Sequence, residues 1–84
     1  MKDLKQTIEL MNSNNYKERF KAEYWQTKIR YEKLHKIVIK IDAGTLPFKT
    51  DTPSHLLESQ ANFMGNYLRI LEIRAEIEGI NLDE

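Results

Sequence analysis

The residues with most chemical content begin at Tyr16. An aromatic residue at the start of a helix, one turn before Arg19, has the parts to hold a nucleotide. The ring face accepts any base, the guanidinium grips phosphate oxygens through paired hydrogen bonds, and the free N–H groups of a helix N-terminus favour an anion. Tyr16, Arg19, Glu23, Gln26, Arg30 and Lys33 step by three and four, so they share one helix face. Lys28 and Arg30 are further cations, but they stand roughly 18 to 21 Å along the helix from Tyr16 at about 1.5 Å per residue. One small ligand does not span that distance within a chain. In an oligomer, the far end of a neighbouring helix can meet Tyr16. The plainer reading is a solvated flank, with Arg19 and Glu23 as an exposed i, i+4 pair contributing about 0.3 to 0.5 kcal/mol. The residues alone leave both open.

Arg69 and Arg74 are the arginines of the C-terminal third. Arg74 lies beside Ile70 and Ile77, where it either points into an interface or pairs with Glu78 one turn on. Catalytic constellations are absent. There is no glycine-rich phosphate loop, no nucleophile flanked by glycines and no His-x-x-x-His pair. With no cysteine, and with His35 and His55 far apart in sequence, neither a disulfide nor a metal site is expected. The expectation is a binding protein without cofactor, not an enzyme.

The elements that must position these residues are helical. From Tyr16 to about Asp42 the chain has no Gly or Pro, and Phe20, Tyr24, Thr27, Tyr31, Leu34, Val38 and Ile41 form a heptad seam. Asn15 suits the N-cap, Glu18 completes a capping box, and Gly44 suits the left-handed C-terminal position. Ahead of it, Asp3 and Gln6 form a capping-box pair for a short helix over about 3–11, and Asn12 to Asn15 read as a turn. Thr52 as N-cap and Pro53 at the first helical position open a last helix over about 53–78, which stops at Gly79. Its seam is Leu57, Ala61, Met64, Leu68, Leu71 and Ala75, with Gly65 inside it as a place for close helix contact. The predicted fold is all-α: a short N-terminal helix followed by a long antiparallel α-hairpin, residues 1–84 as a single helical domain.

Apolar residues are left over. Leu56, Phe63, Tyr67, Ile70 and Ile77 form a second stripe on the last helix, and Trp25, Ile29, Ile37 and Ile39 lie off the seam of the long one. An 84-residue chain that exposes this much apolar surface is expected to assemble as a compact homo-oligomer. The alternative is a helical interaction module that docks another protein on the Phe63, Tyr67, Ile70 and Ile77 stripe. Lys plus Arg and Asp plus Glu number 13 each, so the net charge is zero, which disfavours binding to long nucleic acid. No apolar run approaches the roughly 18 to 20 residues of a membrane span, and the N-terminus lacks a signal-peptide core. A cytoplasmic protein is expected.

One ordered pattern carries a resemblance. Asn15-Tyr16-x-x-Arg19-Phe20-x-x-Glu23-Tyr24 runs into Lys28-Ile29-Arg30-x-x-Lys33-Leu34, and a loop with Phe48 and Pro53 follows. Then come Leu56-Leu57-x-x-Gln60, Met64-x-x-Tyr67-Leu68 and Leu71-x-x-Arg74. Over about residues 12 to 80 this resembles the small helical cyclic-oligonucleotide sponges of tailed phages, the type 2 anti-CBASS proteins, especially those of large myophages. The resemblance implies sequestration, without catalysis, of the cyclic di- and trinucleotides that CBASS synthases make in the cytoplasm of the infected bacterial host. It further implies a homo-oligomer, a hexamer, with dinucleotides held where protomers meet and trinucleotides at a separate site. Tyr16 fits the family's dinucleotide-contacting tyrosine, and either Lys28 or Arg30 fits its basic residue further along the helix. Arg74 is the nearest match to the arginine of the trinucleotide site.

Overall fold

The structure, a computed structural model, describes residues 3–83. The chain opens with the expected Asp3–Gln6 capping box, in which each backbone N–H donates to the other's side chain. What the box opens is a 3₁₀ turn, Leu4–Thr7, that passes into a one-turn helix α1, Ile8–Met11, rather than one helix over 3–11. The tightening has a local cause. The Thr7 hydroxyl donates to the Leu4 carbonyl at 2.7 Å, a three-residue reach that matches 3₁₀ geometry.

Helix α2 spans Tyr16–Ala43 and α3 spans Ser54–Glu78, and they pack as an antiparallel hairpin. The Asn15 side chain caps α2 by accepting from the Lys17 N–H at 2.9 Å. The second capping box does not close. Ser13 takes over, its hydroxyl accepting from the Asn15 N–H and donating to the Glu18 carboxylate. Thr52 is not the cap of α3 either. Pro53 itself sits at that position in an extended conformation, and its carbonyl accepts from the Leu56 and Leu57 N–H groups. Proline suits the place because it has no N–H to leave unpaired.

The seam predicted from the heptads is the one that packs, but unevenly. Phe20, Tyr24, Leu68, Leu71, Ala75 and Ile80 form the buried core, with Trp25, Tyr31 and Leu82 against it. Leu34, Val38 and Ile41, nearer the loop, are half-buried. The core is thicker at the Tyr16 end because both termini return there. Ala22, Gln26 and Ile29 share a face of α2, and Gln26 Nε2 donates to the buried Thr7 hydroxyl and to Met11 Sδ. Ile29, expected among the leftover apolar residues, is therefore buried. At the other terminus Gly79 adopts φ +69°, and the Ile80 N–H reaches back to the Ala75 carbonyl at 2.8 Å. That turn buries Ile80 and lets Trp25 Nε1 donate to the Leu82 carbonyl. Gly65 faces Tyr31, whose Cε1 would lie 3.4 Å from an added Cβ.

The second stripe of α3 remains uncovered in the single chain. Phe63 is 74% exposed and Ile77 is 79% exposed, with Leu56, Tyr67, Ile70 and Ile73 also open. Among the described residues, no helix is long and apolar enough to cross a membrane.

Candidate functional site

Antiparallel packing sets the N-terminus of α2 beside the C-terminus of α3, and this juxtaposition builds a polar cross-helix cluster. Tyr16 opens α2; Arg74 and Glu78 occupy the last two turns of α3. The Tyr16 hydroxyl accepts from Arg74 Nη2 at 2.9 Å and donates to Glu78 Oε1 at 3.0 Å. Glu78 Oε2 also takes Arg74 Nε at 3.3 Å. Phe20, one turn after Tyr16, forms the floor. The guanidinium carbon lies 5.0 Å from the centre of the Phe20 ring, and Tyr16 meets that ring edge-on at 6.1 Å. Arg74 is held still more firmly in its cationic form. Desolvation works against this, but the Tyr16 phenol and the Glu78 carboxylate outweigh it.

The cluster is open to solvent. Tyr16 is 46% exposed, so part of its ring is free to meet a second planar group. An exposed aromatic face beside a guanidinium suits a ligand that is both planar and anionic. Arg74 also lies in register with Phe63, Tyr67, Ile70 and Ile77 on α3, so the cluster borders the uncovered apolar stripe.

The other candidate residues fall elsewhere. Arg19 Nη1 donates to the Ser13 carbonyl at 2.8 Å, fastening the turn between α1 and α2. Glu23 is exposed, and its carbonyl accepts from the Thr27 hydroxyl. The anticipated Arg19–Glu23 pair gives way to the Ser13 contact because that carbonyl sits within reach of the guanidinium. Lys28 and Arg30 are separated by about 200° around the helix, two steps of about 100° each, so they do not share a face. Arg30 is exposed.

Lys28 belongs to a second cross-helix cluster, with Tyr24, Trp25 and Glu72. The Tyr24 hydroxyl donates to Glu72 Oε2 at 2.7 Å and accepts from Lys28 Nζ at 3.1 Å. The ammonium stands 5.5 Å from the centres of the Tyr24 and Trp25 rings. Burial, then the Glu72 hydrogen bond, push the Tyr24 phenol above its ordinary value. The hydrogen bond to Tyr24 raises Lys28 in spite of desolvation. Both groups keep their ordinary charge near neutral pH, so the cluster clamps the two helices. No helical period marks this cluster in the sequence, because Glu72 reaches Tyr24 only through the cross-helix register.

Two surface hollows lie apart from the Tyr16 cluster. One of about 280 Å³ is lined by Glu72, Glu76, Ile80 and Asp83 beneath the C-terminal tail. The other, about 410 Å³, lies at the loop end between Leu34, Ile37, Phe48 and Leu57. Among the described residues, no group of His, Cys, Asp and Glu is arranged to hold a metal ion.

Of the residues anticipated from sequence, then, the fold joins Tyr16 to Arg74 and adds Phe20 and Glu78. Phe20 was legible only as a seam residue, and Glu78 only as the i+4 partner of Arg74. Comparison with known proteins adds one finding. A family model described as Sequestin matches residues 14–77, a segment that contains Tyr16, Phe20 and Arg74 and ends one residue before Glu78. No curated protein and no solved structure matches the chain.

Proposed function

The chain belongs to the Sequestin family, and from that premise we propose that it is a phage sponge of the type 2 anti-CBASS kind. It binds cyclic di- and trinucleotide second messengers in the cytoplasm of the infected bacterial host and withholds them from the CBASS effector. It does so without catalysis and as a homo-oligomer. One observation carries the reading: a half-exposed tyrosine face stands next to an arginine, on the border of a long uncovered apolar stripe. A base stacks on Tyr16, Arg74 takes a phosphate, and the stripe brings a second protomer to the same border. Arg30, exposed on the flank of α2, is available to a ligand shared between protomers, whereas Lys28 is engaged with Tyr24. Arg19 acts indirectly by fastening the turn that leads into Tyr16.

The test is chemical. The protein is incubated with cyclic dinucleotides and trinucleotides, the complexes are isolated and denatured, and the released nucleotide is identified. Recovery of intact cyclic nucleotide from a stable complex is expected. Recovery of linear product would argue for a phosphodiesterase, and absence of any complex would remove the binding reading.

The second reading, a module that docks another protein on the stripe, draws on the same exposure of Phe63, Ile70 and Ile77. It requires an isolated chain that stays monomeric. Light scattering separates the two, since the sponge reading expects the stripe to be buried between copies.

A further inference from the structure

Glu78 holds the two groups that the proposed ligand would use. One carboxylate oxygen accepts from the Tyr16 hydroxyl and the other pairs with Arg74 Nε, so a single side chain bridges both. A phosphate approaching Arg74 brings oxygens of the same charge to the same N–H donors. We infer that Glu78 is a built-in anionic competitor, which holds Arg74 and Tyr16 in place in the free protein and must swing away when an anionic ligand arrives. The inference rests on the proposed function, because it takes Arg74 as the cation that meets the ligand.

The geometry makes such an exchange cheap. The Arg74 and Glu78 side chains are 47% and 33% exposed, and Glu78 is the final residue of α3, followed at once by the Gly79 turn. A displaced carboxylate therefore re-enters water instead of being stranded in the core, and exposed pairs of this type are weak. The Phe20 floor keeps the guanidinium in position after the carboxylate leaves. Glu78 is thus a positioning residue that tunes affinity through Arg74: it orders the site and at the same time lowers its hold on anions.

The test is a calorimetric titration of the full chain with a cyclic dinucleotide, a cyclic trinucleotide and an uncharged nucleoside. The proteins are wild type, Glu78→Gln, Glu78→Asp and, as a matched charge control, Glu76→Gln. Glu78→Gln is expected to bind at least one of the cyclic nucleotides about two- to fivefold more tightly, the range set by an exposed ion pair. Glu78→Asp and Glu76→Gln are expected to stay close to wild type, and the nucleoside is expected not to distinguish the proteins. A merely structural role for Glu78 would weaken binding instead. In an Arg74→Ala background the gain from Glu78→Gln is expected to vanish; its persistence there would show a diffuse charge effect and overturn the inference. Equal or weaker binding by Glu78→Gln, with wild type binding normally, would also overturn it while leaving the sponge reading intact. If neither wild type nor any variant binds a cyclic nucleotide, the sponge reading fails and the inference falls with it.

Discussion

Replacing Tyr16 tests the site most directly, and two substitutions separate its ring from its hydroxyl. Tyr16→Phe keeps the ring against Phe20 but removes the oxygen that contacts Arg74 and Glu78. Both lost hydrogen bonds are at the surface, so the stability cost is about 0.5 to 1 kcal/mol. Tyr16→Ala removes the ring as well. Full burial of a large apolar side chain contributes about 1.5 to 3 kcal/mol, and Tyr16 is 46% exposed. About half of that range is therefore at stake, for a total loss of about 1.3 to 2.5 kcal/mol once the hydrogen bonds are included. Binding separates the variants more sharply. Stacking of a base on an aromatic ring contributes about 1 to 3 kcal/mol, so Tyr16→Ala is expected to weaken cyclic dinucleotide binding by about five- to 150-fold. Tyr16→Phe is expected to stay within a few-fold of wild type, because the stacking face is retained. Calorimetric titration reads the affinities, urea denaturation reads the stabilities, and sedimentation checks that assembly is unchanged. Wild-type affinity in Tyr16→Ala would refute the stacking role. An equal loss in both variants would show that the hydroxyl, not the face, meets the ligand.

Other outcomes follow from the packing. Leu71 is fully buried at the middle of the core, so Leu71→Ala is expected to cost about 2 to 5 kcal/mol in denaturant unfolding; a cost below about 1 kcal/mol would mean the seam is misplaced. Ile70→Asp places a charge in the middle of the uncovered stripe and is expected to convert an oligomer to monomers by sedimentation while leaving helical content unchanged. The carboxyl of Glu58 is pushed above its ordinary value, first by its hydrogen bond to Asp42 and then by repulsion from it. A raised folded-state value means that the folded protein binds the proton more tightly than the unfolded chain, so stability from this pair is present at low pH and falls as pH rises through that value. The thermal midpoint of Glu58→Gln is accordingly expected to stay near wild type in acid and to rise above it toward neutral pH; a pH-independent difference would refute the raised value.

How legible the fold was depended on the range of the interactions. The α2 and α3 seams repeat every three and four residues, and each helix ends at a glycine with positive φ, so local geometry carried these elements in the sequence. Errors of detail came where several side chains competed for one end. Ser13 displaced the Asn15–Glu18 box, Pro53 displaced Thr52, and Thr7 tightened the first turn to 3₁₀. The burial of Ile29 and the return of Leu82 to Trp25 depended on contacts from the chain's two ends, which no helical period encodes.

The site divides in the same way. By itself, the sequence determined the parts: an aromatic residue at a helix start, an arginine on an apolar stripe, a glutamate one turn beyond it, and an even balance of charge. The resemblance set Tyr16 and Arg74 at separate sites, and 58 residues separate them along the chain. Only tertiary structure could place them 2.9 Å apart. The cause is the antiparallel register: once Leu68, Leu71 and Ala75 pack against Phe20 and Tyr24, the first turn of α2 must lie against the last turns of α3. That register is set by how the two seams interlock, a property of the pair that neither helix carries alone.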